Sequence, residues 1–594
     1  MWRQGWLYEI GLGIVYTVLR IIFWAWNRAF LEGEGNLWRI CLAGILFDWY
    51  AVSWVLVPVW FFLLIGWRCI SYAVWIGVGS FALALEVIDI GYFPYSHRRS
   101  GIELIRMLSF WQDTLPALSK YMKDFLLGFL FWGLLVGVLI WWGGQVKSIP
   151  SPAGWVTRLG WLFSLVGLVI GLRGGVRLKP LTVIDAAQPE CLACTPYVLN
   201  TTFSMLKALE QPPLPPWPPA PSGIPLYPRQ YTPGVREASI PRYNVVVFIL
   251  ESFSAEYVEK GYAPFLSQLL QKGSSVKWGF ACNSRSAEGV PAILSGIPSW
   301  GEEPLIFTPY AVKIRYSLGD ILKKWGYKTL FFHGGNNGTM LLDSYARQAG
   351  FETYIGRKEY PFPDRDYDGT WGIWDEPFLQ FCLEQLASVK EPFAAAIFTL
   401  SSHHPYAIPK QLQDSFRIGK LPVHRAVAYA DWALRRFFAR AETMDWARRT
   451  LFVFTADHTG PSEEEYSPVR AFHVPISFLV LGKELPPCDS IGSHIDVLPS
   501  ILEAIGYPYP VPVWGKSLWN RNGWRWAPQK PLPLLFQAVG RREVISFSPN
   551  SVKSTYKWQG KPWNILPDSV LPSWYSEWMA YLASYGKWIE GENW

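Results

Sequence analysis

The feature that most constrains this chain is a series of long apolar runs in its first third. A membrane-spanning helix needs roughly 20 consecutive apolar residues, and runs of about that length recur near residues 7–27, 43–66, 70–91, 124–143 and 157–175. These runs predict an N-terminal α-helical transmembrane bundle of five spans over residues 1–178. The first run is too polar at its end for a cleaved signal peptide, so we expect it to remain as an anchor.

The composition agrees with a chain that lies partly in lipid. Of its 594 residues, 50% are hydrophobic and 17% are charged, against roughly 25% charged in soluble domains. Its 34 Trp also favour a membrane interface, where one side of the ring is apolar and the other is wet. The net charge of +7 is not gathered into a basic stretch, so the sequence predicts no nucleic-acid partner.

Four ionisable residues fall inside the predicted spans: Arg20, Asp48, Glu86 and Asp89. Such groups are costly in lipid. The three acids lie toward the ends of their spans, which predicts interfacial positions. The long stem of Arg20 would let its charged head reach the interface.

The basic segment from Arg98 to Lys123 leaves the orientation open. The positive-inside rule places it in the cytoplasm, and five spans put it on the same side as the C-terminal half. It could instead lie on the outer surface and bind lipid phosphates.

The close pair Cys191 and Cys194 is open to two interpretations. Zinc would need two further ligands, and none is near in sequence. The alternatives are a local disulfide, which an extracytoplasmic location would permit, and two free thiols.

Beyond the spans, the sequence predicts a linker, a catalytic domain and an appendage. Residues 179–243 include QPPLPPWPPAPSGIPLYP, which is typical of an extended polyproline spacer. Residues 244–522 alternate apolar strands with helices, which predicts an α/β domain with a mostly parallel sheet. Residues 523–594 have short strand-like pieces and many Trp, and we expect a small appended sheet.

Side chains suited to metal and phosphate chemistry follow four of the predicted strands. Ligands in open α/β sheets bind beyond the carboxyl ends of strands. The residues found there are Glu251, His333, His403, His404, Asp457 and His458, and His473 stands beside a fifth strand. Carboxylate and imidazole together suit Mn²⁺ or Zn²⁺. Such a cation would activate a hydroxyl nucleophile, and the segment NSRSAEG before PAILSG offers one at a helix N-terminus, which favours a phosphoryl group.

These residues also carry a family resemblance. The strings NVVVFILESFSAEY, NSRSAEGVPAILSGIPS, FFHGGNNGTM, WGIWDEPF, TLSSHHPY and FTADHTG, in this order, resemble the lipoteichoic acid synthase family of the sulfatase and alkaline-phosphatase superfamily. The resemblance covers about residues 244–520 and implies a sulfatase-like domain. It implies a metal held by Glu251, Ser286, Asp457 and His458, with Ser286 as the nucleophile where the family usually has Thr. Ser284 is the competing nucleophile.

The resemblance also implies substrate contacts and a reaction. His333, His404 and His473 match positions that line the phosphate pocket or protonate the leaving group. The implied enzyme is a multi-pass protein of the cytoplasmic membrane whose catalytic domain is extracytoplasmic. It would use a divalent metal, with Mn²⁺ favoured over Zn²⁺ or Mg²⁺. It would move a phosphoglycerol-type head group from an anionic phospholipid donor to a glycan or glycolipid acceptor. The segment from Arg98 to Lys123 would then face outward and help to hold the donor.

Three alternatives stay open at this point. The HGGNNGTM stretch departs from the pattern of the polymer-forming enzymes, where a Trp and an Arg help to bind glycerol phosphate, and this favours relatives in other bacteria over polymer synthesis. A phosphoethanolamine transferase, whose site is similar, is one alternative. A sulfatase or phosphodiesterase-type hydrolase is another, although Cys282 and Ser286 lack the following Pro that formylglycine formation requires. A non-enzymatic relative is the third, and the intact set of Glu, Ser, Asp and His argues against it.

Overall fold

The structure is a computed structural model in which the chain forms two compact units. It describes residues 1–28, 36–96, 99–100, 111–150, 155–186, 194–210, 217–231, 242–301, 303–465, 467–520, 522–532, 535–548 and 551–591. The first unit comprises Met1–Pro212 and Phe307–Val312, and the second comprises Pro213–Ile306 and Lys313–Trp594.

The first unit is built from long apolar helices. They are α1 (Trp2–Asn27), α2 (Leu37–Val55), α3 (Val57–Leu64), α4 (Arg68–Ser96), α5 (Trp111–Lys147) and α6 (Trp155–Arg173). Within the described residues, four stretches of helix are long and apolar enough to cross a membrane, and α2 with α3 makes a fifth if the pair is one span. The predicted helical bundle is therefore confirmed, with four or five candidate spans.

The second candidate span is bent rather than straight. Helices α2 and α3 meet at an angle of 52°, and Pro58 lies in the first turn of α3. Proline has no amide hydrogen, and its ring collides with the carbonyl four residues earlier, so an α-helix cannot run through it undisturbed.

Arg20 is buried inside the first unit. Its side chain is 1% exposed and forms an ion pair with Asp48. One guanidinium nitrogen, Nη1, also donates to the carbonyl oxygens of Tyr197, at 2.8 Å, and Leu199, at 3.1 Å. The guanidinium is therefore satisfied within the protein by a counter-charge and backbone acceptors, and its head does not extend to solvent.

A second buried ionic cluster is formed by Arg99 with Glu86 and Asp89. Arg99 Nη1 lies 3.5 Å from a carboxylate oxygen of both Glu86 and Asp89. Two short helices, α7 (Thr195–Val198) and α8 (Thr201–Leu209), follow the last candidate span. The first turn of α8 donates to the same acids, with Thr202 N 2.9 Å from Glu86 Oε1 and Thr201 Oγ1 2.8 Å from Asp89 Oδ2.

These contacts correct one expectation. Glu86 and Asp89 are buried among polar partners. Arg99 is buried too, so it does not face lipid phosphates as part of the predicted outward segment. Arg98 and residues 101–110 lie outside the described residues, and from Trp111 the backbone of the segment is already part of α5.

The second unit is organised around a seven-stranded sheet of order β3-β9-β8-β2-β7-β5-β6. The strands of the unit are β1 (Arg229–Tyr231), β2 (Asn244–Leu250), β3 (Ser274–Ser275), β4 (Trp278–Phe280), β5 (Lys328–His333), β6 (Thr353–Ile355), β7 (Phe393–Phe398), β8 (Thr450–Ala456), β9 (Ile476–Val480), β10 (Ile491–Ser493), β11 (Val511–Val513), β12 (Trp526–Leu532), β13 (Leu535–Gly540), β14 (Glu543–Ser548), β15 (Ser551–Gln559) and β16 (Lys561–Asp568). Strands β8, β2, β7, β5 and β6 pair in parallel, whereas β9 is antiparallel to both β8 and β3. The mostly parallel sheet is confirmed, with an antiparallel edge that makes it mixed.

Helices alternate with these strands, as the sequence predicts for a covered sheet. They are α9 (Ala255–Glu259), α10 (Pro264–Lys272), α11 (Ser286–Ser295), α12 (Leu318–Lys324), α13 (Leu342–Gln348), α14 (Asp375–Ser388), α15 (Pro422–Ala441), α16 (Val497–Ala504) and α17 (Tyr575–Glu590). The central strand β2 is buried at every position, which explains its unbroken apolar sequence.

The small appended sheet is present as a five-stranded antiparallel meander, β12 to β16. Helix α17 follows it. Trp217, from the predicted spacer, packs between them, with ring centroids 6.0 Å from Phe536 and 5.4 Å from Tyr585. The spacer is thus packed against the second unit from Trp217 onward, while residues 211–216 lie outside the described residues.

One member of the predicted cysteine pair is oxidised. Cys194 is disulfide-bonded, and Cys191 lies outside the described residues. The described cysteines Cys41, Cys69, Cys282, Cys382 and Cys488 are free.

The Arg20–Asp48 pair leads to a stability prediction. Replacing Arg20 with Met leaves the buried carboxylate of Asp48 without its counter-charge. Removing one partner of a buried ion pair lowers the free energy of unfolding by about 3–5 kcal/mol. We expect a clear fall in the thermal midpoint of the detergent-purified protein. The double variant Arg20→Met/Asp48→Leu should recover much of the loss, because no charge is left unpaired. Arg28→Met, at an exposed position, is the control. A single variant as stable as the wild type would contradict the prediction.

Candidate metal centre

Glu251 and Asp457 meet because their strands pair in register. Strands β2 and β8 are parallel neighbours, with Leu250 opposite Ala456 at their carboxyl ends. The next residue of each strand is the acid, so both carboxylates reach the same edge of the sheet. Glu251 is 2% exposed and Asp457 is fully buried.

Ser252 connects the two acids through a strained backbone. Its φ of 56° lies in the left-handed region, which costs a non-glycine residue on the order of 1–3 kcal/mol. In that conformation its amide donates to Asp457 Oδ1 at 2.8 Å, and its hydroxyl donates to Glu251 Oε1 at 2.6 Å. These two hydrogen bonds hold the carboxylates in place and offset the strain.

His458 presents a lone pair to the acids. Its Nδ1 lies 2.8 Å from the carbonyl oxygen of Thr459. A carbonyl can only accept, so Nδ1 carries the hydrogen, and in the neutral ring Nε2 is the free ligand atom. That Nε2 is 3.3 Å from Asp457 Oδ2 and 3.8 Å from Glu251 Oε1.

Ser286 completes the cluster as the first residue of α11. Its Oγ is 3.3 Å from both Glu251 Oε2 and His458 Nε2. The helix can approach this closely because Gly289 has no side chain: a Cβ there would lie 2.0 Å from the carbonyl oxygen of Asp457. Ser284 is exposed, and no hydrogen bond joins it to the cluster within the described residues.

The donor atoms fit a divalent cation. The ligand atoms of Glu251, Asp457 and His458 all lie within 4.8 Å of one another. Asp457 Oδ2 is buried and accepts no hydrogen bond from any described residue. Burial, followed by the charge of Asp457, raises the pKa of Glu251 to about 8. Two carboxylates, an imidazole and a hydroxyl turned toward one point are the ligand chemistry of Mn²⁺, Zn²⁺ or Mg²⁺.

Two further histidines lie on the same side of the sheet. His333, the last residue of β5, is fully buried, with its ring stacked 5.1 Å from that of Phe398. Its Nε2 has no hydrogen-bond partner among the described residues. Burial, and then the charge of His403, lowers the pKa of His333 to about 4. Burial also lowers the pKa of His403, which the charge of Asp457 acts to raise.

The structure separates His403 from its neighbour His404. The His403 ring lies 4.3 Å from the ring of Trp371 and interacts with the charges of Asp457 and His458. His404 is exposed, its ring is edge-on to Tyr406 at 5.5 Å, and its carbonyl oxygen accepts from Trp371 Nε1 at 2.6 Å. Both histidines were predicted to lie at this strand end, and the resemblance implied His404 as the substrate contact, whereas it is His403 that interacts with Asp457 and His458. The position of His403 one residue nearer the strand is the one signal in the sequence that favours it.

His473 packs among aromatic rings instead of joining the cluster. Its ring lies 5.0 Å from Trp563 of β16, 5.6 Å from Trp278 and 5.8 Å from Phe280. Burial lowers the pKa of His473 to about 3, so the ring is neutral at pH 7. The structure brings Glu251, Ser286, Asp457 and His458 together and places His333 and His403 nearby, but gives His473 a position under the appended sheet.

A buried ion pair fixes the helix that carries Ser286. Glu288, in the first turn of α11, accepts from Lys530 Nζ at 2.9 Å and from Arg285 Nε at 3.0 Å. Lys530 belongs to β12 of the appended sheet and also donates to the carbonyl oxygen of Gly301 at 2.6 Å. The partners are 242 residues apart, so no local pattern in the sequence could have revealed the pair.

The ligand cluster predicts metal binding that can be measured without an activity assay. Mn²⁺ should bind about one per chain and raise the thermal midpoint. Asp457→Asn should weaken that affinity by about 100-fold or more and remove the rise. The same change should leave the metal-free protein as stable or more stable, because it relieves repulsion between two buried carboxylates. Asp431→Asn, at an acid that accepts from the amides of Phe265 and Leu266, is the control. An unchanged Mn²⁺ affinity in Asp457→Asn would contradict the assignment of a metal centre to these residues.

Comparison with known proteins gives the same domain a family. Residues 243–507 match the protein-family model described as Sulfatase. The chain is similar to lipoteichoic acid synthase 1 of Bacillus subtilis (strain 168), with 24% identity over 296 residues, 44% of this chain and 46% of the relative. It is also similar to phosphoglycerol transferase I of Citrobacter koseri, with 22% identity over 312 residues, 48% of this chain and 40% of the relative. The matches thus span less than half the length of these relatives.

A solved structure supports the fold. An alkaline phosphatase superfamily protein from Vibrio parahaemolyticus superposes with a TM-score of 0.54 and 25% identity, covering 61% of this chain and 91% of that one. The predicted resemblance is confirmed at this level. Residues 243–507 match the Sulfatase family model, and the chain is similar to lipoteichoic acid synthases and phosphoglycerol transferases over part of its length.

Proposed function

We propose that this chain is a membrane-anchored, metal-dependent phosphotransferase. It moves a phosphoglycerol-type head group from an anionic phospholipid to a glycan or glycolipid acceptor outside the cytoplasmic membrane. The observation that carries the proposal is the position of Ser286 Oγ, 3.3 Å from both Glu251 and His458 at the first turn of a helix. The names of the two relatives support a transferase over a hydrolase.

The reaction runs in two displacements at one phosphorus. In the first, Ser286 Oγ loses its proton and attacks the donor's phosphorus, the bond from phosphorus to the diacylglycerol oxygen breaks, and that oxygen takes up the proton. In the second, an acceptor hydroxyl loses its proton and attacks the same phosphorus, the bond to Ser286 Oγ breaks, and Ser286 Oγ takes up the proton that the acceptor lost. A divalent cation held by Glu251, Ser286, Asp457 and His458, with Mn²⁺ favoured over Zn²⁺ or Mg²⁺, would lower the pKa of the hydroxyl and polarise the phosphoryl group.

The helix and the nearby histidines suit these steps. The N-terminus of α11 carries partial positive charge, which stabilises a phosphoryl group at Ser286. We assign substrate contacts to His333 and His403, and to His403 the proton that reaches the leaving oxygen. His404 and His473, which the sequence also suggested, have their rings against Tyr406 and Trp563 instead.

The disulfide at Cys194 supports an extracytoplasmic catalytic domain. Disulfides persist in oxidising compartments and are rare in the cytoplasm. Cys194 follows the last candidate span, Trp155–Arg173, and precedes the second unit. An oxidised cysteine at this point of the chain favours the outer side of the cytoplasmic membrane for the residues that follow.

Ser286 is expected to carry the covalent intermediate. Ser286→Ala should lower turnover of a fluorescent phosphatidylglycerol by at least about 1,000-fold while leaving the thermal midpoint and Mn²⁺ content near wild type. Mass spectrometry of the wild type, quenched during turnover without acceptor, should show a phosphoglycerol adduct on the peptide containing Ser286. Ser284→Ala is the matched control and should keep most activity. If Ser284→Ala is inactive and Ser286→Ala is active, the nucleophile assignment is wrong.

Lys530 is expected to position Ser286 through Glu288. Lys530→Met leaves the buried Glu288 carboxylate with Arg285 alone, and we expect kcat to fall by about tenfold or more with little change in KM. Lys530→Met/Glu288→Gln removes both charges and should return kcat to within about threefold of wild type. The exposed Lys324→Met is the control. Rescue by the second substitution separates positioning from a general loss of packing, and a Lys530→Met enzyme with wild-type kcat would contradict the role.

A further inference from the structure

The second unit contains a cavity that the proposed chemistry does not use. Its volume is 430 Å³, within the range of roughly 300–1,000 Å³ typical of ligand sites. Strands β1 and β11 form one wall, the segment Trp514–Ser517 and the bend at Gly523 form another, and Glu577 of α17 closes one side. None of the four residues of the metal cluster lines it.

The charged side chains that the structure describes around this cavity are equal in number for each sign. They are three cations and three carboxylates: Arg229, Lys516 and Arg525, with Asp496, Glu503 and Glu577. Arg229 forms an ion pair with Glu577, and Arg525 Nη1 lies 3.2 Å from Asp496 Oδ2. Within the described residues the wall therefore carries no net charge, which agrees with a neutral ligand.

Aromatic rings give the cavity flat apolar surfaces. Trp514 is 4% exposed within the wall, whereas Trp524, next to the bend at Gly523, is 54% exposed. An indole left open to solvent beside a cavity offers a planar face and one N–H donor. A ligand with a flat apolar face would gain contact there without any backbone change.

Polar groups with unused hydrogen-bonding capacity stand next to these rings. The Lys516 ammonium is half-buried and has no ion pair or hydrogen bond with any described residue. Exposed amide side chains of Gln230, Asn520 and Asn522 lie at the mouth. Amides supply donors and acceptors, and carboxylates supply acceptors. This mixture suits hydroxyl groups, which both donate and accept. It does not suit an acyl chain.

We propose that this cavity binds a neutral saccharide. A sugar ring has one face of C–H groups that can lie against Trp524, and hydroxyls around its rim that the amides, Lys516 and the carboxylates can meet. The role of this saccharide as the carbohydrate part of the acceptor rests on the proposed function, whereas binding itself does not.

The test is direct binding to the full-length protein in detergent. Neutral tetrasaccharides built from glucose, galactose or N-acetylglucosamine are titrated, with isothermal calorimetry or saturation-transfer NMR as the readout. We expect at least one to bind with a Kd of about 1 mM or tighter. Trp524→Ala and Asn522→Leu should each weaken that binding by about tenfold or more. Phe362→Ala removes another exposed aromatic ring of the same unit, outside the cavity, and should leave the Kd unchanged.

The outcomes separate this site from the proposed reaction. Ser286→Ala should bind the same tetrasaccharide with wild-type affinity, because no transfer is needed. If saccharide binds but the wild type cleaves no phospholipid, the proposed reaction is wrong and the cavity site stands. If none of the tetrasaccharides binds, or if Trp524→Ala and Phe362→Ala behave alike, the cavity site is overturned whatever the enzyme does to phospholipid.

Discussion

Two carboxylates sit side by side in the second unit because β2 and β8 pair in parallel, in one register, from Asn244 and Thr450 to Leu250 and Ala456. Both strands are buried at every position, so their pairing rests on apolar packing and not on the acids at their ends. Glu251 and Asp457 are therefore held close together even though two carboxylates at this distance repel each other when both are charged. The hydrophobic core in effect supplies the force that keeps a repulsive pair assembled, and the cation site inherits its geometry from that core.

The groups next to this pair of acids offset its negative charge. Ser252 adopts a left-handed backbone and donates to both acids. His458 is held by Thr459 with its Nε2 toward the acids. Burial acts to lower the pKa of His458, but the charges of Asp457 and Glu251 raise it overall, so without a cation a proton at Nε2 partly offsets the two acids. Lys530 neutralises Glu288 in the same first turn as Ser286, which keeps a further carboxylate from adding negative charge. The centre is therefore preorganised for a positive ion and a hydroxyl, and the surrounding hydrogen bonds resist its collapse.

Much of this was predictable from the sequence because it depends on local patterns. Apolar runs predict the spans, and strand ends predict where Glu251 and Asp457 lie. What escaped prediction depends on contacts between distant segments. Pro58 hinted at a bend, but its angle is set by packing. The burial of Arg20 needs acceptors from two other parts of the chain. The choice between His403 and His404 depends on how one turn runs after β7, and two adjacent histidines give no periodicity from which to read it.

The buried partners of Arg20 have a consequence for how the protein is made. Its counter-charge, Asp48, follows 28 residues later, but the carbonyl of Tyr197 follows 177 residues later. At roughly 5–20 residues per second, that acceptor emerges on the order of 10–35 s after Arg20 has left the ribosome. During this interval the described partners available to the guanidinium are those on α2, the carboxylate of Asp48 and the carbonyl oxygen of Gly44. The segment around Tyr197 can close over the guanidinium only after that delay, so the early pairing of α1 with α2 relies on the ion pair alone for its charge balance.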